Sequence, residues 1–127
     1  MSQRLERLAD QMMRDLAALI RQDLKDPRLG MVTISAIKLS RDLGYADVYV
    51  TVMGRELDAD PSVSIAVLQG AAGHLRSALG RDMRTRVIPR LRFHYDEVLV
   101  RAQRLSTLIS QAVAEDVARH GDEDAPV

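Results

Sequence analysis

Between residues 76 and 92 the chain carries six arginines, Arg76, Arg81, Arg84, Arg86, Arg90 and Arg92, against one acid, Asp82. A guanidinium stays charged at any physiological pH and presents its donors in a planar fork that matches phosphate oxygens. Such a window, nearly free of acids, suits a polyanion. Just before it, in Leu68-Gln69-Gly70-Ala71-Ala72-Gly73-His74-Leu75, four small residues interrupt an apolar, helix-forming run. A bent helix pair presenting cations to RNA is the arrangement these residues imply.

Catalytic chemistry finds little support. The three histidines, His74, His94 and His120, lack metal-ligand spacing with carboxylates. His94 falls between Phe93 and Tyr95 on a candidate strand, where a surface or RNA-stacking histidine is expected rather than a general base. Asp96 and Glu97 are adjacent, and a strand would send their carboxylates to opposite faces. The absence of cysteine excludes disulfides, thiolate metal sites and cysteine nucleophiles. No P-loop or nucleophile elbow occurs. The expectation is a protein that is not an enzyme and needs no cofactor and no metal.

The elements that would hold the arginines follow from periodicity. Residues 3 to 25 read as a long amphipathic helix: Leu5, Leu8, Met12, Leu16, Leu19 and Ile20 share one face at about 100° per residue, with Arg7, Arg14 and Arg21 opposite. Asp26-Pro27 ends it and Gly30 completes a turn that carries Arg28. Residues 31 to 39 and 45 to 53 read as strands. In the first, Val32, Ile34 and Ala36 alternate with Thr33 and Ser35; in the second, Ala46, Val48, Val50 and Val52 alternate with polar residues. Ser40 to Gly44, with Arg41, fits a hairpin loop. Asp60-Pro61 starts a second helix that runs through the small residues, so Ala71, Ala72 and Gly73 form a helix bend. A β-branched residue at Gly73 is expected to spoil that bend. A third strand is expected from Arg90 to Asp96 after Pro89, then a helix that weakens toward an acidic end.

The 127 residues, 46% apolar, suffice for one small domain with an aliphatic core, there being no Trp and one Phe. The zero net charge hides segregation: from residue 108 on, Glu115, Asp116, Asp122, Glu123 and Asp124 face only Arg119. Residues 1–110 are expected to fold and 111–127 to form an acidic, disordered tail. No apolar run is long enough for a signal peptide or membrane span, so a cytoplasmic, monomeric protein without membrane contact is expected.

Gly70-Ala71-Ala72-Gly73 matches G-x-x-G, the pattern by which a K-homology (KH) domain approaches four nucleotides, although small residues between helices also permit close packing. The wider context is more specific. Asp26-Pro27-Arg28-Leu29-Gly30, Ser40-Arg41-Asp42-Leu43 with Tyr45 to Val50, Ala71-Ala72-Gly73 with Leu75-Arg76-Ser77, Leu79-Gly80, Arg84, and Val87-Ile88-Pro89 leading to Phe93, Tyr95 and Asp96 resemble the bacterial ribosome-binding factor A family over roughly residues 3 to 110. The resemblance implies an α+β, type II KH-like domain of order α-β-β-α-(bend)-α-β with a C-terminal helix or tail. There an Ala-x-Gly bend replaces the gripping loop. It also implies a non-catalytic factor for late maturation of the 30S small ribosomal subunit and its 16S rRNA, associated with cold adaptation. On this reading the RNA-binding candidates are Arg28, Arg41, Arg76, Arg81, Arg84, Arg86, Arg90 and Arg92, with Arg7, Arg14 and Arg21 as flanking contacts. The alternatives are a generic single-strand RNA binder using Gly70 to Gly73, and a protein-interaction module docking through the exposed face of the first helix or through the terminal helix with residues such as Leu105, Leu108 and Ile109.

Overall fold

The computed structural model describes residues 3–53, 60–83 and 86–123, with side chains through residue 118. The elements are α1 (Gln3–Asp23), β1 (Met31–Leu39), β2 (Tyr45–Met53), α2 (Ser62–Gly70), α3 (Ala72–Asp82), β3 (Arg90–Tyr95) and α4 (Glu97–Glu123). They divide into two compact units, residues 1–96 and 97–127.

In the first unit the strands form one sheet of order β1-β2-β3. β1 and β2 pair antiparallel through the hairpin, while β3 joins β2 in parallel after the α2–α3 crossover. α1 packs on β1 and α3, and α2 and α3 pack on β3, so the helices cover one sheet face. Met12, Leu16 and Ile20 of α1 meet Ile34, Ile37, Val48, Val50, Leu68, Leu75, Leu79, Leu91 and Phe93 in an aliphatic core with a single aromatic ring. The amphipathic pattern of α1 thus buries the face its sequence marks.

β1 departs from plain alternation. A β-bulge lies between Ile34 and Ala36, and Ser35 is the extra residue. The core phase therefore passes from Ile34 to Ile37 and Ala36 turns to the other face, pairing with Tyr49. The Ser35 hydroxyl donates to the Asp96 carboxylate at 2.6 Å and fixes the bulge against the end of β3.

The hairpin loop is held by its own polar atoms. The Asp42 carboxylate accepts from the Ser40 hydroxyl at 2.8 Å and the Gly44 amide at 2.9 Å. These bonds, the Gly44 amide first, hold its carboxyl below the ordinary carboxylate range. Leu43 sits at φ 59°, in the left-handed region that an L side chain enters only at a steric cost. A Cβ on Gly44 would lie 3.2 Å from the Asp42 carboxylate, tighter than ordinary contact.

α2 and α3 are joined by Ala71 alone, at φ −92° and ψ 0°. Its amide bonds the Val67 and Leu68 carbonyls at 3.1 Å, and its carbonyl accepts from the Leu75 amide at 2.9 Å. The bend is thus a kink in an almost unbroken hydrogen-bond ladder. Gly70 ends α2 and Gly73 lies inside α3, so the G-x-x-G residues form no projecting loop. A Cβ added at Gly73 meets nothing within 4 Å, so an alanine there has room inside the molecule.

In the second unit, α4 runs unbroken across residue 110, where a disordered tail was expected to begin, and reaches Glu123. The run from Gln111 to Ala118 contains neither Gly nor Pro and several strong helix formers, and local propensity prevails over its acidity. The Thr107 hydroxyl donates to the Gln103 carbonyl at 2.9 Å, and Arg101 pairs with Glu97 at 3.9 Å.

Candidate nucleic-acid interface

The structure sorts the arginines into separate groups. Arg76 and Arg81 stand exposed on α3, and Arg86 stands exposed in the segment leading to β3. Arg76 and Arg86, with Ser77, Gly80, Val87 and Ile88, line one open depression of about 370 Å³. The Arg76 Nε donates to the Ile88 carbonyl at 3.0 Å, which ties the β3 lead-in to α3 and uses one of five guanidinium donors. A Cβ on Gly80 would touch Ile88 at 3.4 Å, so the floor of this depression is closely packed. Arg84 lies outside the described residues.

Arg90 and Arg92 belong elsewhere. On β3, Leu91 and Phe93 face the helices, so the alternating arginines point to the opposite face of the sheet. The sequence window of six arginines is therefore not one surface. Arg92 spans Asp47, with Nε at 2.9 Å from Oδ1 and Nη2 at 3.1 Å from Oδ2. The His94 Nε2 shares Asp47 Oδ1 at 2.8 Å. Burial acts on the Asp47 carboxyl in the direction that raises it, but the hydrogen bonds and charges of His94 and Arg92 outweigh burial and hold it below its ordinary value.

Of the remaining candidates, Arg28 lines a second open depression with Lys25 and the bend residues Gly70 and Ala71, and the others are scattered. Arg28, in the turn after α1, is clamped by Asp26 through Nε at 3.0 Å and Nη2 at 2.7 Å, and that carboxylate holds the guanidinium charged even more firmly than usual. Arg41 is exposed at the hairpin tip. Arg7, Arg14 and Arg21 form an exposed stripe on α1, seven residues apart, where Arg14 donates to Gln11 at 2.9 Å. His74 meets Asp23 at 2.9 Å and ties the start of α3 to the end of α1.

Sequence reasoning missed Gln69. Its Nε2 donates to the Leu91 carbonyl at 3.1 Å, and its Oε1 accepts from the Phe93 amide at 3.0 Å. A single side chain thereby satisfies two backbone groups on the outer edge of β3, the strand that β2 pairs on its other side. No local signal marks such a residue, because its partners are 22 and 24 positions away. Among the described residues no group of three or more His, Asp or Glu could hold a metal ion, and no helix is long and apolar enough to cross a membrane.

A small α+β unit with helices on one face of a three-stranded sheet, its crossover helices kinked at a single residue, defines a KH-like fold. The sequence profile of ribosome-binding factor A matches residues 4–109, and the chain belongs to that family. A Pseudomonas fluorescens ribosome-binding factor A is 52% identical over 123 residues, covering 97% of this chain and 92% of its own. The crystal structure of ribosome-binding factor A from Thermus thermophilus superposes with a TM-score of 0.63 at 36% identity, covering 72% of this chain and 93% of that one. A Thermus thermophilus homology model fitted into a cryo-EM map of its 30S complex matches with a TM-score of 0.56 at 37% identity, covering 68% of this chain and 88% of that one.

Proposed function

We propose that this chain binds the small ribosomal subunit through 16S rRNA and assists its late maturation without catalysing a reaction. The observation that carries the reading is the open depression lined by Arg76 and Arg86 between α3 and the lead-in to β3, in a chain that is 37% identical to a relative placed in a 30S complex. In this reading Arg76, Arg81 and Arg86, with Arg84 between them in sequence, take phosphate oxygens. The bent helix pair supplies a shape that fits folded RNA without reading many base edges. The stripe Arg7, Arg14 and Arg21, together with Arg41, adds flanking contacts. Arg28, already held by Asp26, contributes less.

Four phosphate contacts give a slope near −3.6 in log affinity against log salt, a loss of roughly 150-fold between 50 and 200 mM. Co-sedimentation with separated small and large subunits across a salt series tests this. Selective, salt-sensitive binding to the small subunit that weakens in an Arg81→Ala, Arg86→Ala double variant is the expected result. Equal binding to both subunits, or an unaltered slope in the folded double variant, refutes the surface.

A further inference from the structure

The helices of the first unit leave the other sheet face bare, and that face carries an ordered set of rings and cations. Across the strands, Tyr45 stands beside Arg90, Lys38 and Arg92 flank Asp47, and Ala36 and His94 flank Tyr49. The Arg92 guanidinium lies 4.2 Å from the Tyr45 ring centroid and is anchored at its other side by Asp47. His94 stacks on Tyr49 at 5.2 Å with 30° between the rings, and the Lys38 ammonium lies 5.3 Å from the same Tyr49 ring. Tyr45 is 39% exposed, and the Arg92 and His94 side chains are 50% and 42% exposed.

A wet sheet face normally carries unconnected polar residues. Here a single carboxylate fixes both Arg92 and His94, so planar groups are held in place at little further entropic cost on binding. Three permanent cations, Lys38, Arg90 and Arg92, stand against Asp47, an excess of two positive charges among these four groups. Two tyrosines on the central strand, about 13 Å apart by strand rise, add π-faces that any base can use. Cations for a backbone and flat surfaces for bases are what an unpaired polynucleotide requires. A duplex keeps its bases stacked internally and cannot use the rings.

We propose that this sheet face is a second RNA surface, one that takes a short single-stranded segment by stacking bases on the Tyr45–Arg92 and Tyr49–His94 pairs. It lies on the side of the sheet opposite α3 and does not rest on the subunit-binding reading, since its ligand is a strand and not a folded particle.

The test uses the full chain and a synthetic heptaadenylate, with an RNA hairpin of fully paired stem as the comparison. The chain has three tyrosines and no tryptophan, so its intrinsic emission is tyrosine emission. Heptaadenylate should quench that emission and shift the amides of β2 and β3. Tyr45→Leu should weaken binding about tenfold, within the range seen for loss of one stacked base, and Tyr45→Phe should bind like the parent. Arg92→Gln should weaken binding and flatten its salt dependence. The proposal is overturned if heptaadenylate produces no quenching. It is also overturned if the hairpin stem binds this face equally well, if the shifts fall only on α3, or if Tyr45→Leu and Tyr45→Phe bind alike. Measuring both small-subunit sedimentation and heptaadenylate binding on the Arg81→Ala, Arg86→Ala variant separates the two readings, because loss of subunit binding there would leave heptaadenylate binding standing.

Discussion

Replacing Gln69 tests how the bent helix pair is attached to the sheet. In Gln69→Ala the Leu91 carbonyl and the Phe93 amide both lose their side-chain partner, from bonds of 3.1 and 3.0 Å in a part-buried position. Each lost bond is worth roughly 1 kcal/mol net, and a group left unpaired away from water costs about 1–3 kcal/mol. Alanine returns at most roughly 0.5 kcal/mol of helix propensity. The net loss is about 2–3 kcal/mol, a fall in Tm of roughly 10 °C or more for a domain of this size. Hydrogen exchange localises the effect: the Phe93 amide, whose acceptor is Gln69 itself, should lose protection out of proportion to its neighbours on β3. Gln69→Glu sharpens the point, since it keeps an acceptor for Phe93 but sets a carboxylate oxygen against the Leu91 carbonyl. That contact favours the protonated acid, which raises its folded value above the unfolded one, so the Glu variant should recover stability as pH falls. An Ala variant within about 0.5 kcal/mol of the parent in urea, with the Phe93 amide still protected, would refute the attachment.

Leu43→Gly should stabilise the hairpin by about 1 kcal/mol, because the strain of a left-handed leucine at φ 59° exceeds the added chain entropy of glycine; a lower melting temperature would contradict this. Gly73→Ala meets no atom within 4 Å and should raise stability by about 0.5–1 kcal/mol, as in an open helix position. If that more stable protein also binds the small subunit less well, the missing side chain serves an approaching RNA; equal binding would leave the glycine without a binding role. The Asp47 carboxyl is held below its ordinary value of 3.8, so its contribution is present above that pH and is lost as pH falls through the lowered value. Asp47→Asn should therefore show a shallower acid limb than the parent in stability measured from about pH 5 down to about pH 2, and superimposable limbs would show that the cluster contributes nothing.

The elements were legible because their signals are local. The face of α1 that buries Met12, Leu16 and Ile20 is written in helical spacing, and β1 and β2 are written in alternation bounded by turn residues. The phase error at Ala36 arose because a bulge adds a residue without changing composition. Only the pairing of Ile34 with Val50 and of Ile37 with Val48 shows the shift. The arginines were legible as a charge window but not as surfaces. A parallel strand entered from a helix sends Arg90 and Arg92 away from Arg76 and Arg81, and linear charge cannot show which side of a sheet a residue occupies. Gln69, Asp47 and the stack of Tyr49 on His94 depend on contacts across more than 20 positions, and nothing nearby in sequence encodes them.

These contacts bear on how the proposed interface would read RNA. A sheet edge with open backbone groups can recognise base edges, but the Leu91 carbonyl and Phe93 amide of β3 are already paired with Gln69. The bend at Ala71 offers no projecting loop to clamp a backbone. What faces outward beside α3 is charge on a closely packed floor, arranged by Arg76, Gly80 and Ile88. Such a surface responds to where phosphates lie and very little to which bases they join. If the chain acts on rRNA as proposed above, a surface of this build distinguishes one folded state of an RNA from another by phosphate geometry, which suits a maturing particle whose sequence does not change as it folds.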